Sequence, residues 1–313
     1  MLELKKELEP AEILNEAITK GITSFYVAYS GGKDSGIILD IIAKEFSQYF
    51  KGVIFVDTGI ATKATIKFVE DYCKERNYRL YHLYANDIKR QKESNIGKIG
   101  EPFSFENLVL TYGFPKQAFH TITMRWIKYY SMRNFISQRI KAGEKPALIS
   151  GMRQNESQRR KKSKYLEYIY QDGKMCFVSP IFFKSNNWVM KYFIENNIKR
   201  SPVYETLHIS GDCLCGCFAK KDELKLLEMF HPDVFKEIKR LEKLIVEKGT
   251  LYAKKNKTWG GCNQTTNNIE SQTNIDQFVC NECFFDRESK EVDTQRFKEE
   301  LEEIDQKCQN LTI

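Results

Sequence analysis

The sequence has no run of about 18 apolar residues, so it offers no helix suited to spanning a membrane. Its opening, Met1-Leu2-Glu3-Leu4-Lys5-Lys6-Glu7, is charged and lacks the apolar core of a secretory leader. Both absences predict a cytoplasmic protein with no membrane partner. A strong excess of one charge sign is missing as well: 49 Lys+Arg against 42 Asp+Glu leaves +7. That mildly basic balance suits an anionic nucleotide or nucleic-acid partner, and equally suits an ordinary lysine-rich soluble chain. Cysteine, by contrast, is abundant. Nine cysteines in a chain expected to sit in a reducing compartment favour metal or redox chemistry over structural disulfides. With 313 residues there is room for one large domain or two modest ones.

The most informative stretch is Ser30-Gly31-Gly32-Lys33-Asp34-Ser35. It follows an apolar, β-rich run (Phe25 to Tyr29) and leads into Gly36 to Ala43, which reads as a buried helix. A strand, a tight glycine turn and a helix make an anion site. The glycines let the backbone approach a ligand, and the first helical N–H groups and the helix dipole point at it. Lys33 adds a point charge, and Ser30 and Ser35 add hydroxyl donors. The Walker A pattern is absent, because Lys33 is followed by Asp34 rather than by Ser or Thr.

Downstream, Gly52 to Val56 is a continuous apolar run suited to a strand buried on both faces, ending in Asp57-Thr58-Gly59. Residues 62–76 carry helical periodicity, and Arg79 to Tyr84 reads as a third strand. This alternation predicts a doubly wound, parallel α/β sheet, with ligands beyond the carboxyl ends of its strands. Asp57 then shares a rim with the glycine turn, where it serves either as a ligand for Mg²⁺ or a ribose hydroxyl, or as a turn cap. Residues 86–123, with Gly97, Gly100, Pro102, Gly113 and Pro115, read as a loop-rich insertion. A helix is predicted over 124–141 and a strand over Pro146 to Ser150. The strand runs into Gly151-Met152-Arg153-Gln154-Asn155-Glu156-Ser157-Gln158-Arg159-Arg160. Arg153 and Arg160 are candidates to grip phosphate oxygens, since a guanidinium fork matches such oxyanions bidentately. Lys161 to Lys164 read as a basic rim.

The six-residue turn resembles the pyrophosphate-binding loop of the N-type ATP pyrophosphatases, Ser-Gly-Gly-x-Asp-Ser. Several later segments, in order, are similar to the phosphoadenosine-phosphosulfate (PAPS) reductase family of that superfamily. They are Phe55-Val56-Asp57-Thr58-Gly59, Met124-Arg125-Trp126-Ile127-Lys128, Gly151-x-Arg153-x-x-Glu156-Ser157-x-x-Arg160, Ser179-Pro180-Ile181, Trp188 and Ser201-Pro202-Val203-Tyr204. The resemblance covers roughly residues 22–235 and implies a Rossmann-like adenine nucleotide alpha hydrolase fold. It also implies nucleotide contacts for Ser30 to Ser35, Asp57, Lys128 and Gly151. Two departures count. The glycine loop is intact, whereas sulfate-assimilation reductases usually carry an altered one. Their C-terminal Glu-Cys-Gly-x-His segment is missing: Glu282-Cys283 precedes Phe284-Phe285, and Cys308 sits between Lys307 and Gln309. Both favour relatives that activate a substrate with ATP before sulfur insertion, such as tRNA thiolases or the ATP-pyrophosphatase component of DNA phosphorothioation systems.

Six cysteines fall between residues 213 and 283. Gly211-Asp212-Cys213-Leu214-Cys215-Gly216-Cys217 holds three, Cys262 follows Gly260-Gly261, and Cys280-Asn281-Glu282-Cys283 is a C-x-x-C pair. Cys213, Cys215, Cys280 and Cys283 are the first choice for four thiolates around a 4Fe–4S cluster or Zn²⁺, which spacing does not separate. Cys217 and Cys262 are spare candidates. Residues 220–248 read as one or two helices with an apolar stripe, 263–277 as a loop, and Glu288 to Lys307 as a charged helix.

The expected organisation is thus a nucleotide-binding domain over 1–205 and a cysteine-rich, mostly helical region over 206–313. The expected reaction is adenylation of a substrate from Mg²⁺-ATP with pyrophosphate release, in a sulfur-transfer process. Lys33, Asp34, Asp57, Arg153 and Arg160 are the candidate catalytic residues. A cysteine desulfurase or small thiol would donate sulfur, DNA or tRNA would be the acceptor, and a homo-oligomer or multi-subunit system would be the setting. Two alternatives stay open: a PAPS or APS reductase with a different thiol, and a non-catalytic nucleotide-binding subunit with structural zinc.

Overall fold

Short apolar runs separated by capped helices build a six-stranded sheet in the computed structural model, which describes residues 7–91, 99–156, 167–220 and 222–260. Helix α1 (Pro10–Thr19) begins with Pro10, whose missing N–H costs nothing in a first turn, and buries Ile13, Leu14 and Ala17. Strand β1 (Ser24–Ala28), helix α2 (Lys33–Glu45), strand β2 (Phe50–Asp57), helix α3 (Lys63–Glu75) and strand β3 (Leu80–Tyr84) follow. Val53 to Val56 in β2 are buried, as the continuous apolar run predicts. Beyond β3, helix α4 (Phe105–Tyr112) and α5 (His120–Met124) lead through a wide π turn (Arg125–Tyr129) into α6 (Tyr130–Lys141). Strand β4 (Pro146–Ile149) is followed by a hairpin, β5 (Ile169–Asp172) and β6 (Met175–Val178), and by helices α7 (Asn186–Glu195) and α8 (Val203–Leu207).

The sheet order is β3-β2-β1-β4-β6-β5, with only β5 antiparallel to its neighbour. This is the doubly wound parallel sheet predicted from the strand–helix alternation. Successive strands move outward on one side from β1 to β3, and the chain then returns to the other side of β1 with β4. The switch in strand order therefore lies between β1 and β4, where such sheets open a crevice at their carboxyl ends.

The structure adjusts two expectations and adds one hairpin. The segment expected to be a loop-rich insertion contains α4, whose Ser104 side chain accepts from Asn107 N at 3.0 Å. One such cap supports eight residues that bury Phe105, Leu108 and Val109, although the glycines and prolines around them suggested loop. The helix expected over 124–141 starts at His120 and contains the π turn. The β5–β6 hairpin was not foreseen; its four-residue strands are too short to declare a period.

Toward the C-terminus, the one or two helices expected over 220–248 are two, α9 (Glu223–Phe230) and α10 (Pro232–Lys248), and α11 (Leu251–Lys255) follows. Leu227, Ile238 and Leu241 of the predicted stripe are buried, while Leu224, Phe230, Phe235 and Leu244 are half-buried against the core. The loop expected at 263–277 and the charged helix at 288–307 lie outside the described residues. Among the described residues no helix is long and apolar enough to cross a membrane.

Candidate functional site

The glycine turn sits between β1 and α2, on the rim of the crevice. Gly31 adopts φ +82°, a left-handed conformation that side chains rarely take. Gly32 occupies the N-cap of α2 and brings no side-chain acceptor to its first turn, whereas Thr62, Ser104, Ser185 and Thr250 cap α3, α4, α7 and α11 with their hydroxyls. The two serines brace the turn from within. Ser35 Oγ donates to Gly32 O at 3.1 Å, so Ser30 Oγ supplies the proton of the 3.0 Å Ser30–Ser35 hydroxyl contact. Lys33, nearly buried, lies with Nζ 3.5 Å from Asp34 Oδ2.

Asp34 is the electrostatic centre of the turn. Arg153, 1% exposed, donates from Nε to Asp34 Oδ1 at 2.8 Å and from Nη1 to Asn186 Oδ1 at 2.7 Å. Burial pushes the Asp34 carboxyl upward, but the charges of Lys33 and Arg153 together outweigh it and hold the group below the usual carboxylate range. Arg153 reaches Asp34 because Gly151, just past β4, lets the two rim segments touch. A Cβ there would stand 3.0 Å from the Asp34 carbonyl carbon and 3.1 Å from Ser35 N. The guanidinium expected to grip a phosphate is thus seated on the loop's own carboxylate.

Asp57, at the end of β2, accepts from Gly59 N at 2.8 Å through Oδ1, which is the turn-cap geometry; among the described residues its second oxygen has no hydrogen-bond partner. Lys128 projects from the π turn, a feature often found at functional sites, and is buried against Asp212 in an ion pair. Asp212 was not singled out from the sequence. Its only local sign is an acidic residue directly before Cys213 in a buried glycine turn, and its partner lies 84 positions away. Ser210 Oγ donates to Asp212 Oδ1 at 2.7 Å, and Thr58 Oγ1 donates to its backbone oxygen at 3.1 Å. The adjoining backbone is paired with the loop after β2: Thr62 N donates to Gly211 O at 2.9 Å, and Leu214 N to Ile60 O at 3.1 Å. Trp259 closes the far side, its Nε1 donating to Leu214 O at 2.8 Å.

This docking sets Cys213, Cys215 and Cys217, all buried, on the same rim as the glycine turn. Arg160, Cys262, Cys280 and Cys283 lie outside the described residues. Among the described residues no three His, Cys, Asp or Glu side chains converge as a metal-holding group.

Residues 24–218 match the family model of the phosphoadenosine phosphosulfate reductase domain. A protein of Methanocaldococcus jannaschii, described as uncharacterized, is 28% identical over 194 residues, which is 61% of this chain and 35% of that protein. The chain therefore spans about a third of that relative's length. Among solved structures, a PAPS reductase from Candida auris in a phosphate complex superposes with a TM-score of 0.42 at 18% identity, over 64% of this chain and 85% of that one. An FMN adenylyltransferase from Candida glabrata, bound to FMN and an ATP analogue, gives 0.41 at 15% identity over 63% and 59%. The U34-tRNA thiolase of Methanococcus maripaludis, with its 4Fe–4S cluster, gives 0.37 at 14% identity over 76% and 78%.

Proposed function

The chain belongs to the phosphoadenosine phosphosulfate reductase domain family, at that level a family of nucleotide-utilising enzymes, and we propose that it uses ATP rather than a sulfonucleotide. In this reading it transfers AMP from Mg²⁺-ATP to an oxygen of its substrate and releases pyrophosphate, as the activating half of a sulfur transfer. One observation carries the proposal. The Ser30–Ser35 turn is intact and braced, at the switch between β1 and β4, and opens a helix whose N-cap has no side chain. Such a turn suits the charge of a pyrophosphate leaving group.

Each residue then has a role that its surroundings support. The first amides of α2 and Lys33 stabilise negative charge as it builds on the departing pyrophosphate. Asp34 and Arg153 hold the turn in shape. Gly151 keeps the β4 rim close enough for that pair to form. Asp57, at the end of β2, would hold Mg²⁺, which lends charge neutralisation to the phosphates when bound. Arg160 is proposed to meet the phosphates or the acceptor on sequence grounds. The ligand set Cys213, Cys215, Cys280 and Cys283 for a 4Fe–4S cluster, with Zn²⁺ as the alternative and Cys217 and Cys262 in reserve, likewise rests on spacing in the sequence. A cytoplasmic setting, a sulfur donor and a DNA or tRNA acceptor belong to the same reading, on composition and family resemblance.

The test is pyrophosphate release from ATP by the full chain, purified anaerobically and presented in turn with DNA, tRNA and sulfate. Release with one acceptor and not the others is expected. Lys33→Ala should lower it by roughly 100-fold or more while the far-ultraviolet spectrum stays unchanged. Release of sulfite from a sulfonucleotide, with no pyrophosphate from ATP, would overturn the reading in favour of a reductase.

A further inference from the structure

A buried line of hydroxyl groups joins the glycine turn to the cysteine segment. Ser201 N donates to Gly31 O at 2.7 Å, so the peptide that opens the turn is held by the chain just before α8. Ser201 Oγ lies 2.8 Å from Thr65 Oγ1, and Thr65 Oγ1 donates to Ser210 O. Thr62 Oγ1 donates to the same Thr65 oxygen at 3.0 Å. Ser201, Thr65 and Thr62 are all 0% exposed and Ser210 is 2% exposed, so water does not compete for these bonds.

Proton counting gives the line a direction. Thr65 has one hydroxyl proton, and it goes to the Ser210 carbonyl. The Thr65 oxygen must therefore accept from both Ser201 and Thr62, which uses its full capacity of one donated and two accepted bonds. Past Ser210, the segment allows no slack. Gly211 sits at φ +73°, and a Cβ there would come within 2.9 Å of Thr65 Oγ1 and 2.7 Å of Val203 Cγ1. Ser210 Oγ and Lys128 then hold Asp212, directly before Cys213.

We infer that Thr65 is a positioning residue that couples occupancy of the glycine turn to the accessibility of the thiols at 213–217. An anion drawn into the turn orients the Gly31–Gly32 peptide, the Gly31 carbonyl fixes Ser201, and Thr65 passes that constraint to Ser210 and the cysteine segment. The same coupling runs in reverse, so the state of the thiol segment sets the affinity of the turn for its anion. The inference rests on the turn binding pyrophosphate, as the function above requires.

The experiment follows alkylation of Cys213, Cys215 and Cys217 by iodoacetamide in the full chain as purified. Peptide mass spectrometry resolves these thiols from Cys73 and Cys176, and pyrophosphate binding is measured in parallel by calorimetry. In the unaltered chain, saturating Mg²⁺-pyrophosphate should change the labelling rate at 213–217 by about fivefold or more and leave Cys73 and Cys176 unmoved. Thr65→Val removes the central proton and lone pairs at nearly constant volume; it should still bind pyrophosphate but lose the response, and Thr65→Ser should restore it. Should Thr65→Val fail to fold, Ser201→Ala cuts the line on the turn side and carries the same expectation. Pyrophosphate binding without a change in labelling, or a full response in Thr65→Val or Ser201→Ala, overturns the coupling alone. No pyrophosphate binding in the unaltered chain overturns both the coupling and the proposed ATP chemistry.

Discussion

The glycine turn and the cysteine segment share a rim but are held by opposite means. The turn is braced mostly from within: its serines bond within six residues, Gly31 supplies the left-handed peptide, and from a distance Arg153 sets its charge and Ser201 N holds the Gly31 carbonyl. The cysteine segment is held from elsewhere, by Thr58, Thr62 and Thr65 around α3, by Lys128 from the π turn and by Trp259 near the end of the described chain. A local turn can keep its shape in a marginal fold. A segment held by distant groups reports on the integrity of every element that touches it.

The widest test of that contrast removes the distant ion pair of the turn and leaves the Ser201 N to Gly31 O bond in place. Arg153→Met keeps most of the side chain's bulk but leaves Asp34, 2% exposed, with Lys33 as its remaining ion-pair partner at 3.5 Å. Breaking a buried pair in this way should cost about 3–5 kcal/mol. Urea unfolding monitored by circular dichroism should show it as a lower midpoint at constant slope. Pyrophosphate affinity should fall as well, because the turn loses its shape. A variant as stable as the parent would mean that the pair is not what holds the turn.

How much of this was legible beforehand follows the same divide. The turn, the strands around it and the sheet's parallel character were readable because each is a contiguous pattern: six motif residues, a run from Gly52 to Val56, a Pro at the first turn of α10. The Asp34–Arg153 pair spans 119 positions and Lys128–Asp212 spans 84, and no local period announces such contacts. Sequence reasoning could nominate Arg153 and Lys128 as charged residues in telling places. It could not say that both would face carboxylates, because that depends on which rim segments the sheet order brings together. The hairpin of β5 and β6 was missed for a different reason, since four residues are too few to separate a strand from any short apolar run.

A smaller effect separates the charge of the turn from its covalent shape. Because Asp34 is held below its ordinary range in the folded chain, the unfolded chain binds more protons around pH 4 than the folded one does. The stability this group contributes is therefore complete above its unfolded value and is lost as pH falls through the lower, folded one. Acid titration of Arg153→Met should show a smaller loss that starts at the same pH, set by the unfolded value, and ends at higher pH than in the parent, since one of the two charges that depress Asp34 is gone. Coincident acid profiles would assign the depression to Lys33 alone.

The smallest effect belongs to the cysteine segment. Trp259→Phe keeps an aromatic ring against Gly216, whose missing Cβ would otherwise stand 2.9 Å from the indole, but it deletes the Nε1–H that satisfies Leu214 O. Removing one partner of a buried hydrogen bond should cost about 1–2 kcal/mol. If the segment is held collectively, that loss should appear twice: as a modest drop in the urea midpoint, and as faster alkylation of Cys213 to Cys217 while pyrophosphate affinity is nearly unchanged. A drop in pyrophosphate affinity as large as that of Arg153→Met would instead show that the two regions form a single unit, with no independent local stability in the turn.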